Sequence, residues 1–166
     1  VHNIPIPDLK PGDLLIIFAS FNGNIDVVND SFDVKERFFQ SNNGFMLIKR
    51  VDTEYSGTYP VEINGNETCV AIAYKIAGGN DLQWDYEIGS NNSQTPAIAP
   101  GVGNVRMAIF SAVVGFNTGS TTISGFPAGY TDTYQDVTGS GTSHTALGAA
   151  YKQAVITSET PGAFDI

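Results

Sequence analysis

Gly12-Asp13-Leu14-Leu15-Ile16-Ile17-Phe18-Ala19-Ser20 is a nearly continuous apolar run. It opens on the turn Pro11-Gly12-Asp13 and closes on Phe21-Asn22-Gly23-Asn24. A short apolar run between turn signals reads as a central β-strand. The run returns in looser form as Asn104-Val105-Arg106-Met107-Ala108-Ile109-Phe110-Ser111-Ala112. Downstream of the first copy lies Ala71-Ile72-Ala73-Tyr74-Lys75-Ile76-Ala77, and downstream of the second Gly148-Ala149-Ala150-Tyr151-Lys152-Gln153-Ala154. Between these landmarks each half carries a glycine-aromatic step, Gly44-Phe45 and Gly129-Tyr130, and each ends on strand-like positions, Trp84 and Tyr86 or Phe164 and Ile166. The order implies an internal pseudo-duplication, with halves at 12–90 and 104–166 packed face to face in one domain, 1–166. The repeat is far longer than that of a solenoid. It argues against a chain built around a single catalytic centre.

Working outward, residues 1–10 alternate weakly and carry Pro5 and Pro7, which suits an edge strand or extended arm. Strands are expected at Phe45–Val51, Cys69–Ala77, Leu82–Ile88, Val105–Gly115, up to Val137 and at His144–Val155. Asp52–Tyr59 reads as a polar loop, and Asn64-Gly65 after Val61-Glu62-Ile63 as a hairpin turn. Asp33 followed three residues later by Glu36 has capping-box spacing, so one helical turn is expected over Val34–Gln40. Ser90–Pro100, with Pro96 and Pro100, is the expected link between halves. Many short strands with Gly and Pro punctuation point to an all-β protein, an antiparallel β-sandwich of jelly-roll type.

At 166 residues the chain fits one domain with a substantial core, and 42% hydrophobic content sets it apart from disordered sequences. Charged residues are 15% of the chain, against about 25% in an average soluble domain, so Asn, Thr, Ser and Gly supply the polar surface. Net charge is −9 with eight scattered Lys and Arg, which excludes phosphate-neutralising nucleic-acid binding and disfavours anionic membranes. No apolar stretch approaches the ~20 residues of a membrane span, and residues 1 onward show no signal-peptide pattern.

The chemistry of catalysis is sparse. His2 and His144 are remote from each other and form no zinc-type cluster, and His144 reads as a satisfied surface histidine. Cys69 lies in an alternating apolar run and reads as a buried structural thiol. Ser140 lacks the Gly-x-Ser-x-Gly elbow of a nucleophile. Carboxylates gather in loops (Asp26, Asp30 and Asp33; Asp52 and Glu54; Asp132 and Asp136), where solvated charge is the preferred reading and calcium the cation that would suit them. No cofactor is expected. Trp84 and Tyr86 share one face of an alternating stretch and read as core, while Tyr55, Tyr59, Tyr130 and Tyr134 are candidates for facing a ligand. Asn-x-Ser/Thr triplets at Asn29, Asn66 and Asn91 matter only in a glycosylating host.

The series Pro11-Gly12-Asp13-Leu14-Leu15, Ala71-Ile72-Ala73-Tyr74-Lys75-Ile76-Ala77-Gly78-Gly79, Pro127-Ala128-Gly129-Tyr130-Thr131 and Ala149-Ala150-Tyr151-Lys152 leading into Thr160-Pro161-Gly162-Ala163-Phe164 resembles the β-sandwich modules of tailed-bacteriophage accessory virion proteins. These are head decorations, fibres and tail-associated structural proteins, and the resemblance spans 1–166. Such modules often carry Gly-Trp-Thr where this chain has Gly44-Phe45-Met46, and a further strand is expected after Asp165-Ile166, contributed by a neighbouring subunit if not by the chain itself. The resemblance implies a non-enzymatic structural protein on the virion exterior, docked to capsid shell or tail subunits and homo-oligomeric, and it carries over no catalytic residue. Ile4, Pro5, Ile6 and Pro7 are the expected docking arm. The alternative is a receptor- or glycan-binding module of a tail fibre or cell-surface protein, working through the four tyrosines.

Overall fold

A computed structural model describes residues 1–23, 25–38, 44–79, 82–88, 95–99, 101, 105–115, 122–139 and 144–166. The Gly139–Ser143 loop with Ser140 (apart from Gly139), the helix positions Phe39 and Gln40, Asn91 and most of the Ser90–Pro100 link lie outside the described residues. The protein is all-β with antiparallel pairing throughout, and no α-helix occurs among the described residues. The chain divides into two compact units, Val1–Gln83 and Trp84–Ile166, a boundary just upstream of the expected link.

The first unit holds β1 (His2–Leu9), β2 (Leu14–Phe21), β3 (Val34–Phe38), β4 (Gly44–Arg50), β5 (Tyr55–Val61) and β6 (Cys69–Ile76). A four-stranded sheet runs β3-β4-β2-β6, and β1 pairs with β5 in a second, two-stranded sheet. The two sheets share one core in a sandwich-like arrangement. Ile4, Ile6 and Leu9 of β1 and Tyr59 and Val61 of β5 pack with Leu15, Ile17, Ala19 and Phe21 of β2 and with Phe45 and Leu47 of β4. Leu15, Ile17 and Leu47 are sealed from solvent, each contributing about 1.5–3 kcal/mol of burial. All eight residues of β2 are buried, as its unbroken apolar run requires.

The turn that enters β2 and the turn that follows β6 are tied together by Asp13. Its carboxylate accepts from the Lys10 amide at 2.9 Å and from the Gly78 amide at 3.1 Å. Gly12 (φ 95°) and Gly78 (φ 64°) stand where the backbone is left-handed, a region costly for residues bearing a Cβ.

Three local expectations are corrected in this unit. Val34–Phe38 is a strand, because its alternation finds a partner in β4 from Val34↔Ile48 to Phe38↔Gly44, and the Asp33 carboxylate accepts from the Arg50 amide instead of capping a helix. Tyr55–Tyr59 belongs to β5 and not to a polar loop, since Tyr55, Tyr59 and Val61 face inward against β1. Asn64-Gly65 makes no hairpin, because β5 pairs with β1 and β6 with β2. Its turn crosses between sheets, held by Asn64 Oδ1 accepting from the Asp26 amide at 2.8 Å and by a Val27↔Ile63 bridge.

The second unit holds β7 (Val105–Gly115), β8 (Thr131–Thr138) and β9 (Thr145–Ile156) in the order β7-β9-β8. Ile109, Val113, Ile123, Tyr130, Ala146, Ala150 and Phe164 form its core. β8 enters through a register shift between Thr131 and Tyr134, with Asp132 at φ 47°. Such a bulge bends an edge strand and deepens its twist. The expected strand Leu82–Ile88 is not one: these residues lie outside every ladder among the described residues.

The repeated landmarks fall on an antiparallel pair in each unit, β2–β6 and β7–β9, with Tyr74 opposite Ile16 and Tyr151 opposite Phe110. The third strand lies on different sides: β4, which opens on Gly44-Phe45, joins β2, whereas β8, after Gly129-Tyr130, joins β9. The units share a strand pair but not a sheet order.

Candidate interaction surface

The N-terminal strand is divided by its own alternation. Ile4 and Ile6 are buried in the first core, whereas Pro5 and Pro7 are exposed. Of the four sequence-predicted docking residues, the prolines alone present a surface. A proline on an edge strand gives up no ladder hydrogen bond where its backbone nitrogen faces away from the paired strand.

The four tyrosines are not brought together in one unit. Tyr59 is 3% exposed, stacks against Phe32 (5.4 Å) and Tyr55 (5.1 Å), and donates from its hydroxyl to Ser31 Oγ at 2.9 Å. Tyr55 is half-buried beside it. In the second unit Tyr134 is half-buried, its hydroxyl 3.3 Å from Asp136 Oδ2. Tyr130 is 8% exposed, with Lys152 Nζ 4.7 Å above its ring centroid. Its hydroxyl is shut off from solvent without a hydrogen bond of good geometry, and burial, reinforced by the Glu159 carboxylate, pushes its pKa well above that of a free tyrosine. Lys152 in turn pairs with Glu159 at 2.6 Å. Tyr59 and Tyr130 therefore build cores and present no stacking face.

The remaining chemistry-bearing side chains act as ties. Asp26 pairs with Arg37, which also donates to the Ile25 carbonyl and lies over the Phe45 ring. Asp30 pairs with Lys35 at 2.8 Å, which holds its carboxyl below the usual range. Lys49, a buried amine on β4, donates to the Ser31 carbonyl at 3.0 Å. Among the described residues no group of three His, Cys, Asp or Glu is placed to hold a metal ion. Cys69 packs against the first core, and burial pushes its thiol up to about 12. His144 is buried, a correction to the surface reading: it leads into Thr145, Ala146 and Leu147, the sealed start of β9. His2 stacks edge-on against Phe21 at 5.4 Å, and partial burial lowers its pKa.

What faces outward is apolar in part and strand-edged. Leu82 (43%), Tyr86 (38%) and Ile88 (41%) are exposed with Trp84 half-buried among them, which corrects the expectation that Trp84 and Tyr86 fill a core. Sequence reasoning saw this alternation and missed the edges, because no local signal states which strand lies outermost. β3 and β6 flank the four-stranded sheet, and β7 and β8 flank the three-stranded one. β7 is eleven residues long with Arg106 as its one charged side chain. No helix among the described residues is long and apolar enough to cross a membrane. No family model matches the chain, and no curated protein or solved structure matches it either.

Proposed function

We propose that this chain is a non-catalytic structural protein that acts by docking to other protein subunits, in the manner of the accessory proteins displayed on the exterior of tailed-phage particles. The observation that carries the reading is β7, which among the described residues is an outermost strand, eleven residues long with a single charge. Proteins that stay solitary blunt such edges with short strands, prolines or lysines. A long, nearly uncharged edge is instead a template for strand addition by a partner, main-chain hydrogen bonds giving affinity and alternate side chains specificity. The burial of Tyr59 and Tyr130 removes two of the four expected tyrosines from the glycan-binding alternative, which favours docking.

The experiment is cryo-electron microscopy of the native assembly that contains the chain. The expected result is this fold on the outer surface of a particle with a neighbouring subunit along β7. Density on a cell envelope, or with β7 facing solvent, would overturn the reading. Ala108→Lys, on an exposed position of β7, is expected to abolish docking while leaving the fold intact.

A further inference from the structure

We infer that residues 159–166 form a releasable strap across the core of the second unit, latched by Lys152 and plugged by Phe164. β9 ends at Ile156, opposite Val105, and Thr157 and Ser158 are exposed beyond it. The chain then returns to the unit at isolated bridge positions, Glu159, Ala163 and Asp165, and joins no ladder among the described residues. Glu159 exchanges two 2.8 Å hydrogen bonds with Ile98, and Asp165 bridges Gly125, with the Ser124 amide donating to the Asp165 carbonyl at 2.9 Å. Between the bridges Phe164 is 1% exposed and meets Phe126 edge-on at 5.9 Å.

Each attachment has a residue shaped for it. Gly125 carries no Cβ where the Asp165 carboxylate comes close, and Gly148 carries none beneath Ile123 and Phe164. The Lys152 ammonium is held between the Tyr130 ring and Glu159, so the strap's first residue supplies the counter-charge of a largely buried amine. Among the described residues the strap is held by one ion pair, isolated bridge positions at Glu159, Ala163 and Asp165, and one plug, whereas β9 is laddered on both sides. Segments with few backbone hydrogen bonds open independently of laddered strands. Once the Lys152–Glu159 latch opens, nothing in the ladder restrains the plug, and withdrawal of Phe164 uncovers Ile123, Phe126 and Gly148.

The test is amide hydrogen exchange on the full chain, read by NMR. The amides of Ile98, Ser124, Glu159 and Asp165 report the strap from its two ends. The expected result is one common exchange rate for these four, faster by about tenfold or more than amides inside the β7–β9 ladder. Glu159→Gln is expected to quicken all four together and leave the ladder unchanged, and Phe164→Leu to do the same from the other end. If the four exchange at the ladder's rate, the segment opens only with the whole unit and the inference is overturned. It is equally overturned if Glu159→Gln quickens Ile98 and Glu159 but not Ser124 and Asp165, because the attachments are then separate. The wild-type comparison stands even where a variant fails to fold.

Discussion

Gly148→Ala tests the packing of the second unit's core. A methyl group at Gly148 would stand 2.9 Å from Ile123 Cγ2, 3.1 Å from Ile123 Cδ1 and 3.3 Å from Phe164 Cδ1. Carbon atoms prefer about 3.5–4.0 Å, so both neighbours must withdraw by several tenths of an ångström. Neither has room to do so freely: Ile123 is 2% and Phe164 1% exposed. Overpacking of this kind costs about 1–3 kcal/mol. The loss of glycine's freedom in the unfolded chain offsets about 0.4–1 kcal/mol. The net expectation is a destabilisation of about 1–2 kcal/mol, or a fall in Tm of roughly 5–15 °C for a unit of this size. Thermal unfolding followed by fluorescence is a suitable assay, because the chain's single tryptophan, Trp84, belongs to this unit. A double-mutant cycle with Ile123→Ala should recover part of the loss, with a coupling of about 0.5 kcal/mol or more. An unchanged or higher Tm for Gly148→Ala would refute the reasoning, because Ile123 and Phe164 would then have slack.

Other outcomes follow from the first unit. The Asp13 carboxyl is held below its usual range chiefly by the Lys10 and Gly78 amides, so its contribution is full at neutral pH and is lost as pH falls below about 4; Asp13→Asn should lower the urea midpoint at pH 7 and flatten the acid limb of the profile, and an unchanged limb would count against the tie. Cys69, with its thiol pushed up to about 12, should resist iodoacetamide at pH 8 in the folded chain and react at the rate of unfolding, so labelling within minutes under native conditions would contradict its burial. Leu47→Ala, at a fully buried position of β4, should cost about 2–5 kcal/mol in equilibrium denaturation; a loss under 1 kcal/mol would mean that the two sheets are loosely packed. Tyr59→Phe deletes the hydroxyl bonded to Ser31 and should cost about 0.5–1.5 kcal/mol with the rings still stacked, as read from the same denaturation curves.

Much of the strand content was legible, and the reason is visible in particular residues. β2, β6, β7 and β9 announce themselves because burial on one or both faces leaves a continuous or alternating apolar run. β3 was masked by Asp33 and Glu36, whose capping-box spacing is a local signal, whereas the strand depends on distant Gly44–Ile48. β5 was hidden by polar Ser56, Gly57 and Thr58, and its inward positions become readable only once β1 is known to lie opposite. The same limit applies to the surface. Alternation identified Leu82, Trp84, Tyr86 and Ile88 as amphipathic but could not say whether a partner covers them. Tyr59 and Tyr130 looked like ligand-facing aromatics because phenol groups suit either an interior or a surface. Their environments, a Ser31 hydroxyl and a Lys152 ammonium, come from elsewhere in the chain.

The pairing scheme of the first unit also dictates the order in which it can form during synthesis. β1 has no ladder partner until β5 has been made, since His2 pairs with Val61, and one side of β2 stays open until β6, since Leu14 pairs with Ile76. A ribosome adding roughly 5–20 residues per second thus leaves the apolar strand β2 half-paired for several seconds. Contacts this far apart in sequence are slow to close, on the order of milliseconds to seconds even for a finished chain. The nascent chain is most prone to aggregation after β2 has emerged and before β6 has, and chaperone occupancy in ribosome-bound fragments should peak there and fall once Ile76 clears the exit tunnel.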